Sequence, residues 1–221
     1  MSRWLLLPIA IGLVWWFAVT LRRLIAESRG LAAGRATLLD AVAGLLDNPQ
    51  ARLEPSGFPR LSGRYAGRAV ELRLIPDSLT FRKLPALWLL VTLTEPQPVR
   101  GEARIMARSS GLEPFSTFAH LPLSITLPAD FPAHCSLRAD SAAALPPPAM
   151  IDALAKGFAD PAWKEAVISG HGLRLVVLAE EADRGSYLIY RESGLGRRPV
   201  PAAMARGLMD RLIALSETLH G

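Results

Sequence analysis

The chain has 221 residues, half of them hydrophobic, and one cysteine. That composition excludes a disordered, charge-rich chain, and the lone thiol excludes an intrachain disulfide and a cysteine-based zinc cluster. The formal net charge of +5 is uneven, because residues 1–35 hold five arginines against one glutamate, so the remainder is close to neutral and no nucleic-acid partner is expected.

In chain order the first element is Trp4 to Leu21, which carries no charge. As a helix it reaches ~27 Å, close to the ~30 Å hydrocarbon core of a bilayer. Tryptophans lie near both ends, and the run is longer than the apolar part of a signal peptide. Residues 1–25 are therefore expected to be a transmembrane anchor in the inner membrane, with the lipid bilayer as partner. Arg22 and Arg23 follow the run, and the positive-inside rule then puts the C-terminal domain in the cytoplasm. The alternative is a periplasmic domain on the same anchor. Residues 26–48 read as a juxtamembrane helix ended by Asn48-Pro49. Leu24, Leu31, Leu38 and Leu45 recur every seven residues, which raises self-association through residues 24–46.

Residues 50–60 read as a loop, and β patterning starts after it. Leu61–Tyr65 and Arg68–Ile75 flank Ala66-Gly67, a tight hairpin turn with glycine where positive φ is needed. Val70, Leu72 and Leu74 alternate with Glu71 and Arg73 as in a half-buried strand. The segment Gly63-Arg64-Tyr65-Ala66-Gly67-Arg68 resembles a hairpin of uncharacterised bacterial single-pass membrane-anchored proteins. The resemblance covers about a dozen residues and implies no activity or site.

Leu87–Thr94 is almost continuously apolar, as a central strand would be. Glu102–Arg108 and Leu121–Leu127 alternate again, and Pro122 marks the second as an edge strand. Residues 134–139 add a short strand. Pro146-Pro147-Pro148 separates this β-rich part, residues 60–140, from a mixed part, residues 149–221. There Ala149–Phe158 reads as a helix, and Asp160-Pro161 as the cap and first residue of another reaching Ile168. Leu173–Ala179 and Tyr187–Arg191 read as strands, and Ala202–Leu219 as a final amphipathic helix. The fold class expected is α+β: an N-terminal transmembrane helix, then one antiparallel β-rich domain, residues 50–221, with the C-terminal helices packed on the sheet.

The chemistry-bearing residues are scattered. His134 and Cys135 are adjacent, so in a strand they point to opposite faces and cannot pair with each other. The histidines have no metal-ligand spacing, so neither metal nor cofactor is assigned. No catalytic residue is assigned either. Gly194-Leu195-Gly196-Arg197-Arg198 could hold an anion through its amides and guanidiniums, or serve only as a linker. Residues 51–110 hold ten basic and five acidic side chains. Arg64, Arg68, Arg73, Arg104 and Arg108 could thus face anionic headgroups, or pair with Glu71 and Glu102 across the sheet. Arg22, Arg23, Arg64 and Arg68 are the membrane-facing candidates. The functional expectation is a membrane-anchored, non-catalytic interaction or assembly module with an unidentified protein partner. The alternative is an enzyme with a site near His120, Cys135 or His171.

Overall fold

The computed structural model describes residues 3–78, 84–185, 187 and 194–221, and within the first helix not the side chains of residues 3–11, 14, 24, 25 and 27–29. Helix α1 (Arg3–Ala36) gives way to a turn over residues 37–39 and then to the single turn of α2 (Asp40–Ala43). The strands are β1 (Asp47–Leu53), β2 (Pro59–Tyr65), β3 (Arg68–Asp77), β4 (Ala86–Leu93), β5 (Glu102–Ala107), β6 (Leu123–Ile125), β7 (Cys135–Ala139), β8 (Trp163–Ser169) and β9 (Gly172–Glu181). Helix α3 (Pro148–Phe158) precedes β8, and α4 (Ala202–His220) closes the chain.

All nine strands join one antiparallel sheet in the order β1-β2-β3-β4-β9-β8-β5-β7-β6. The β2–β3 turn is the expected one, with Ala66 and Gly67 both at positive φ. That is the backbone whose twist matches two antiparallel strands. Strand β4 is central and β6 is an edge, as the apolar run and Pro122 imply.

Strand alternation sorts the sheet into two faces. On the helix face, Leu72, Leu74, Leu89, Val91, Leu93, Ile105 and Leu175 meet Met150, Leu154 and Phe158 of α3 and Leu208, Met209 and Leu212 of α4. Each such side chain contributes ~1.5–3 kcal/mol when taken out of water. Leu38, Leu39, Val42 and Leu46 also enter this core, so the chain joins the domain ahead of residue 50. On the far face the cover is irregular. Phe115 and Phe118, from the segment between β5 and β6, pack on Leu90, Met106 and Val176, with Trp88 and Ile75 beside them.

Several expectations are corrected. The transmembrane helix does not stand, because among the described residues no helix is long and apolar enough to cross a membrane. The run Trp4–Leu21 falls inside α1, and the side chains of residues 4–11 and 14 lie outside the described set. In the described part of α1 the exposed Trp15, Trp16, Phe17 and Leu21 are followed by Arg22 and Arg23, and by Arg35 in the last turn. The single-pass membrane class falls with it. The loop expected over residues 50–60 begins instead as β1, whose seven residues are all exposed and so show no alternation. The helix expected from Pro161 to Ile168 is β8. Asp160 does accept from the Ala162 amide (2.9 Å), but this turn leads into a strand. The strand expected at Tyr187–Arg191 lies, apart from Tyr187, outside the described residues.

Candidate functional site

Two β-bulges shape the far face. In β9 the register shifts between the pairs Leu87–Glu180 and Trp88–Leu178, leaving Ala179 over. A bulge reverses the sense of the alternation beyond it. Glu181 therefore stands opposite Ala86 on the far face, and Glu180 turns to the helix face. In β8 the register shifts between Trp163–Val177 and Glu165–Val176, so Lys164 is the extra residue.

Beside these bulges lies a cavity of about 430 Å³, bounded by Asp77, Ala86, Trp88, Arg108, Glu113, Lys164 and Glu181, among others. Asp77 and Glu181 both face Ala86, one from each neighbouring strand. Two strand spacings put their backbones ~10 Å apart, and alanine leaves the space between them open. Trp88 lies diagonally from Asp77 on the same face, its ring 5.6 Å from that of Phe115.

The opposite wall is held by buried ions. Lys164 Nζ donates to the carbonyls of Ala107 (3.0 Å) and Arg108 (2.9 Å) and to Glu113 Oε1 (2.9 Å). Lysine has three ammonium hydrogens, so these three acceptors engage them all and keep the charge in place. Both side chains of the pair are about 5% exposed. Burial disfavours the Glu113 carboxylate, but the Ser110 amide and hydroxyl together with Lys164 outweigh it and hold its pKa at about 2. Arg108, at positive φ, donates to the Pro161 carbonyl (2.7 Å). Against this saturation two atoms stand out. Asp77 Oδ1 and Trp88 Nε1 are both shut off from solvent with no hydrogen-bond partner among the described residues.

Further along the same face runs a row of paired charges. Arg104 donates to Glu102 (2.7 Å), Ser116 (3.1 Å) and Glu165 (3.2 Å), and Ser116 also donates to Glu165. Burial raises the pKa of fully enclosed Glu165 despite these donors, and burial lowers that of neighbouring Arg174. On the open half of the face, Arg60 pairs with Glu71 and Arg73 with Glu54 (2.7 Å).

No family model, curated protein or solved structure matches the chain.

The residues singled out in the sequence do not converge. Arg22 and Arg23 are exposed on α1. Arg64 is exposed and bonds its own turn at the Gly67 carbonyl (3.0 Å). Arg68 reaches the helix face, where it meets Glu95 (2.8 Å) and Ser216 of α4 (2.8 Å). Arg104 does meet Glu102, but two residues along the same strand and not across the sheet as expected, while Glu71 takes Arg60. Cys135 is half-buried against the helix-face core, and burial raises its pKa although Arg108 acts the other way. His134 lies in the turn ahead of β7, 3.4 Å from Arg108. Cys135 pairs with Ala107 at one end of β5, whereas the turn holding His171 follows Ser169, which pairs with Glu102 at the other. That separation is ~17 Å along the strand. His120 is exposed beside the far-face cover, on the opposite side of the sheet from Cys135.

The glycine-arginine segment does take an anion, and the anion is the chain's own. The Gly196 and Arg197 amides donate to Glu180 Oε2 at 2.7 and 3.2 Å. The bulge in β9 is what brings Glu180 there.

Asp77, Trp88, Glu113 and Lys164 come from four separate segments, so no local motif announces the cavity. Lys164 and Glu165 read in the sequence as exposed charges, so nothing in Trp163–Ile168 signals that the far face is buried there.

Proposed function

We propose that the chain is a non-catalytic interaction module that reads a ligand or partner with the far face of its sheet. The observation that carries this reading is the contrast within the site. At the cavity Lys164 and Glu113 are committed to each other, while Asp77 and Glu181 stand in no salt bridge among the described residues. Carboxylates left without a salt bridge beside the Trp88 ring suit recognition of a ligand. A general acid or base needs a proton position within reach of substrate, and an ammonium already engaged by three acceptors does not offer one.

The test is incubation of the full-length chain with a metabolite extract of the cells that produce it. Bound compounds are then recovered by denaturation and compared with the input by mass spectrometry. Compounds retained and released chemically unchanged are expected. A compound consumed in proportion to time and protein, with a new one taking its place, would overturn the non-catalytic reading.

A further inference from the structure

The cavity has a definite chemistry. Among its described ionisable side chains are three carboxylates, Asp77, Glu113 and Glu181, against two cations, Arg108 and Lys164. Glu113 is neutralised by Lys164, and the Arg108 guanidinium is turned to the carbonyls of Pro161 and Trp163 at 2.7 and 3.4 Å. Asp77 and Glu181, on either side of Ala86, form no salt bridge among the described residues. Two carboxylates without a salt-bridge partner beside one cavity favour a cation there. The Trp88 indole supplies an aromatic wall, favourable to a cation over its face. The volume of about 430 Å³ is that of a small-molecule site.

We infer that this cavity binds a small organic ammonium ion. The ammonium lies between Asp77 and Glu181, and the apolar part of the ligand packs on the Trp88 ring. This inference rests on the reading of the domain as a binding module and names the ligand class of its site. The selectivity follows from charge. A carboxylate ligand of the same shape would meet Asp77 and Glu181 unscreened and is rejected, and a neutral one gains only the Trp88 contact.

The experiment uses the full-length chain and three matched probes followed by calorimetry: tyramine, 4-hydroxyphenylacetamide and 4-hydroxyphenylacetate. Tyramine is expected to bind, the amide about tenfold more weakly, and the acid more weakly still, since a hydrogen bond to a charged group is worth about that factor or more. Asp77→Asn is expected to weaken tyramine binding about tenfold and to narrow its advantage over the amide. Glu181 is exposed, so Glu181→Gln gives a second reading in a folded chain even if the half-buried Asp77 position tolerates no change. Trp88→Phe should weaken all three probes. Absence of tyramine binding at ~10 mM, about ten times the dissociation constant of a ~1 mM ligand, would overturn the inference. So would acid binding as tight as tyramine, or tyramine binding indifferent to both carboxylate substitutions. Those failures leave the metabolite-extract experiment untouched, so the ligand class and the module reading fail separately.

Discussion

The pair Lys164–Glu113 supports the wall of the cavity, and its energetic role can be isolated with Glu113→Gln. A glutamate that titrates at 4.5 when unperturbed and at about 2 in the folded chain favours folding by about 3 kcal/mol at neutral pH. Because the folded value is the lower one, that contribution is complete above the unfolded value. It is lost as the pH falls from about 5 toward 2. The substituted glutamine keeps the shape and can still accept from Lys164, but it has no charge to lose. Urea unfolding of both chains, fitted at several pH values, should therefore show a stability difference of about 3 kcal/mol at neutral pH that shrinks steadily with acidification. Other carboxylates titrate in both chains and cancel in the difference. A difference that stays constant across the acid range would refute the reasoning, because the cost would then come from packing and not from the ionised pair.

Gly157 sits where a Cβ would lie 2.7 Å from two ring carbons of Trp163. Trp163 is itself wedged edge-on to Phe158 with Arg211 over its face. Gly157→Ala is thus expected to cost ~1–3 kcal/mol in urea unfolding, and an unchanged midpoint would mean the ring is free to move. Arg104→Met removes the principal cation beside fully enclosed Glu165 and should destabilise by ~3–5 kcal/mol, with part of the loss recovered by adding Glu165→Gln. Cys135 should react with a disulfide reagent at least ~10-fold more slowly in the folded chain than in urea, since it is half-buried and its pKa is raised. Equal rates would place the thiol in an open cleft.

Much of the sheet was legible because its strands carry their burial in their spelling. Val70, Leu72 and Leu74 alternate because β3 has one apolar and one polar face, and Leu87–Leu93 is apolar but for Thr92 because β4 is largely covered on both. The same logic explains the misses. Strand β1 is exposed along its whole length, so nothing distinguishes Asp47–Leu53 from a loop. In β8 the bulge at Lys164 breaks the period of two, and Lys164 and Glu165 are charged yet buried. Their burial depends on Ser116 and Glu113 arriving from a distant, non-periodic segment. The cavity was illegible for the same reason, since its two unsatisfied atoms are known only once partners are assigned in space. The anion-binding potential of Gly194–Arg198 was readable from its glycines and arginines, but not that Glu180 would fill it.

The two margins of the sheet limit how the molecule can associate. At one margin, β1 carries a register shift around Asn48-Pro49, with Asn48 at positive φ and no N–H on Pro49. At the other, β6 is only three residues long and follows directly after Pro122. Neither margin offers an unbroken run of donors and acceptors to an incoming strand, so stacking copies side by side into a growing ribbon is disfavoured. A partner, including another copy, has to be met through the faces or the helices. Such contacts are decided by side-chain complementarity and are released without opening a single strand.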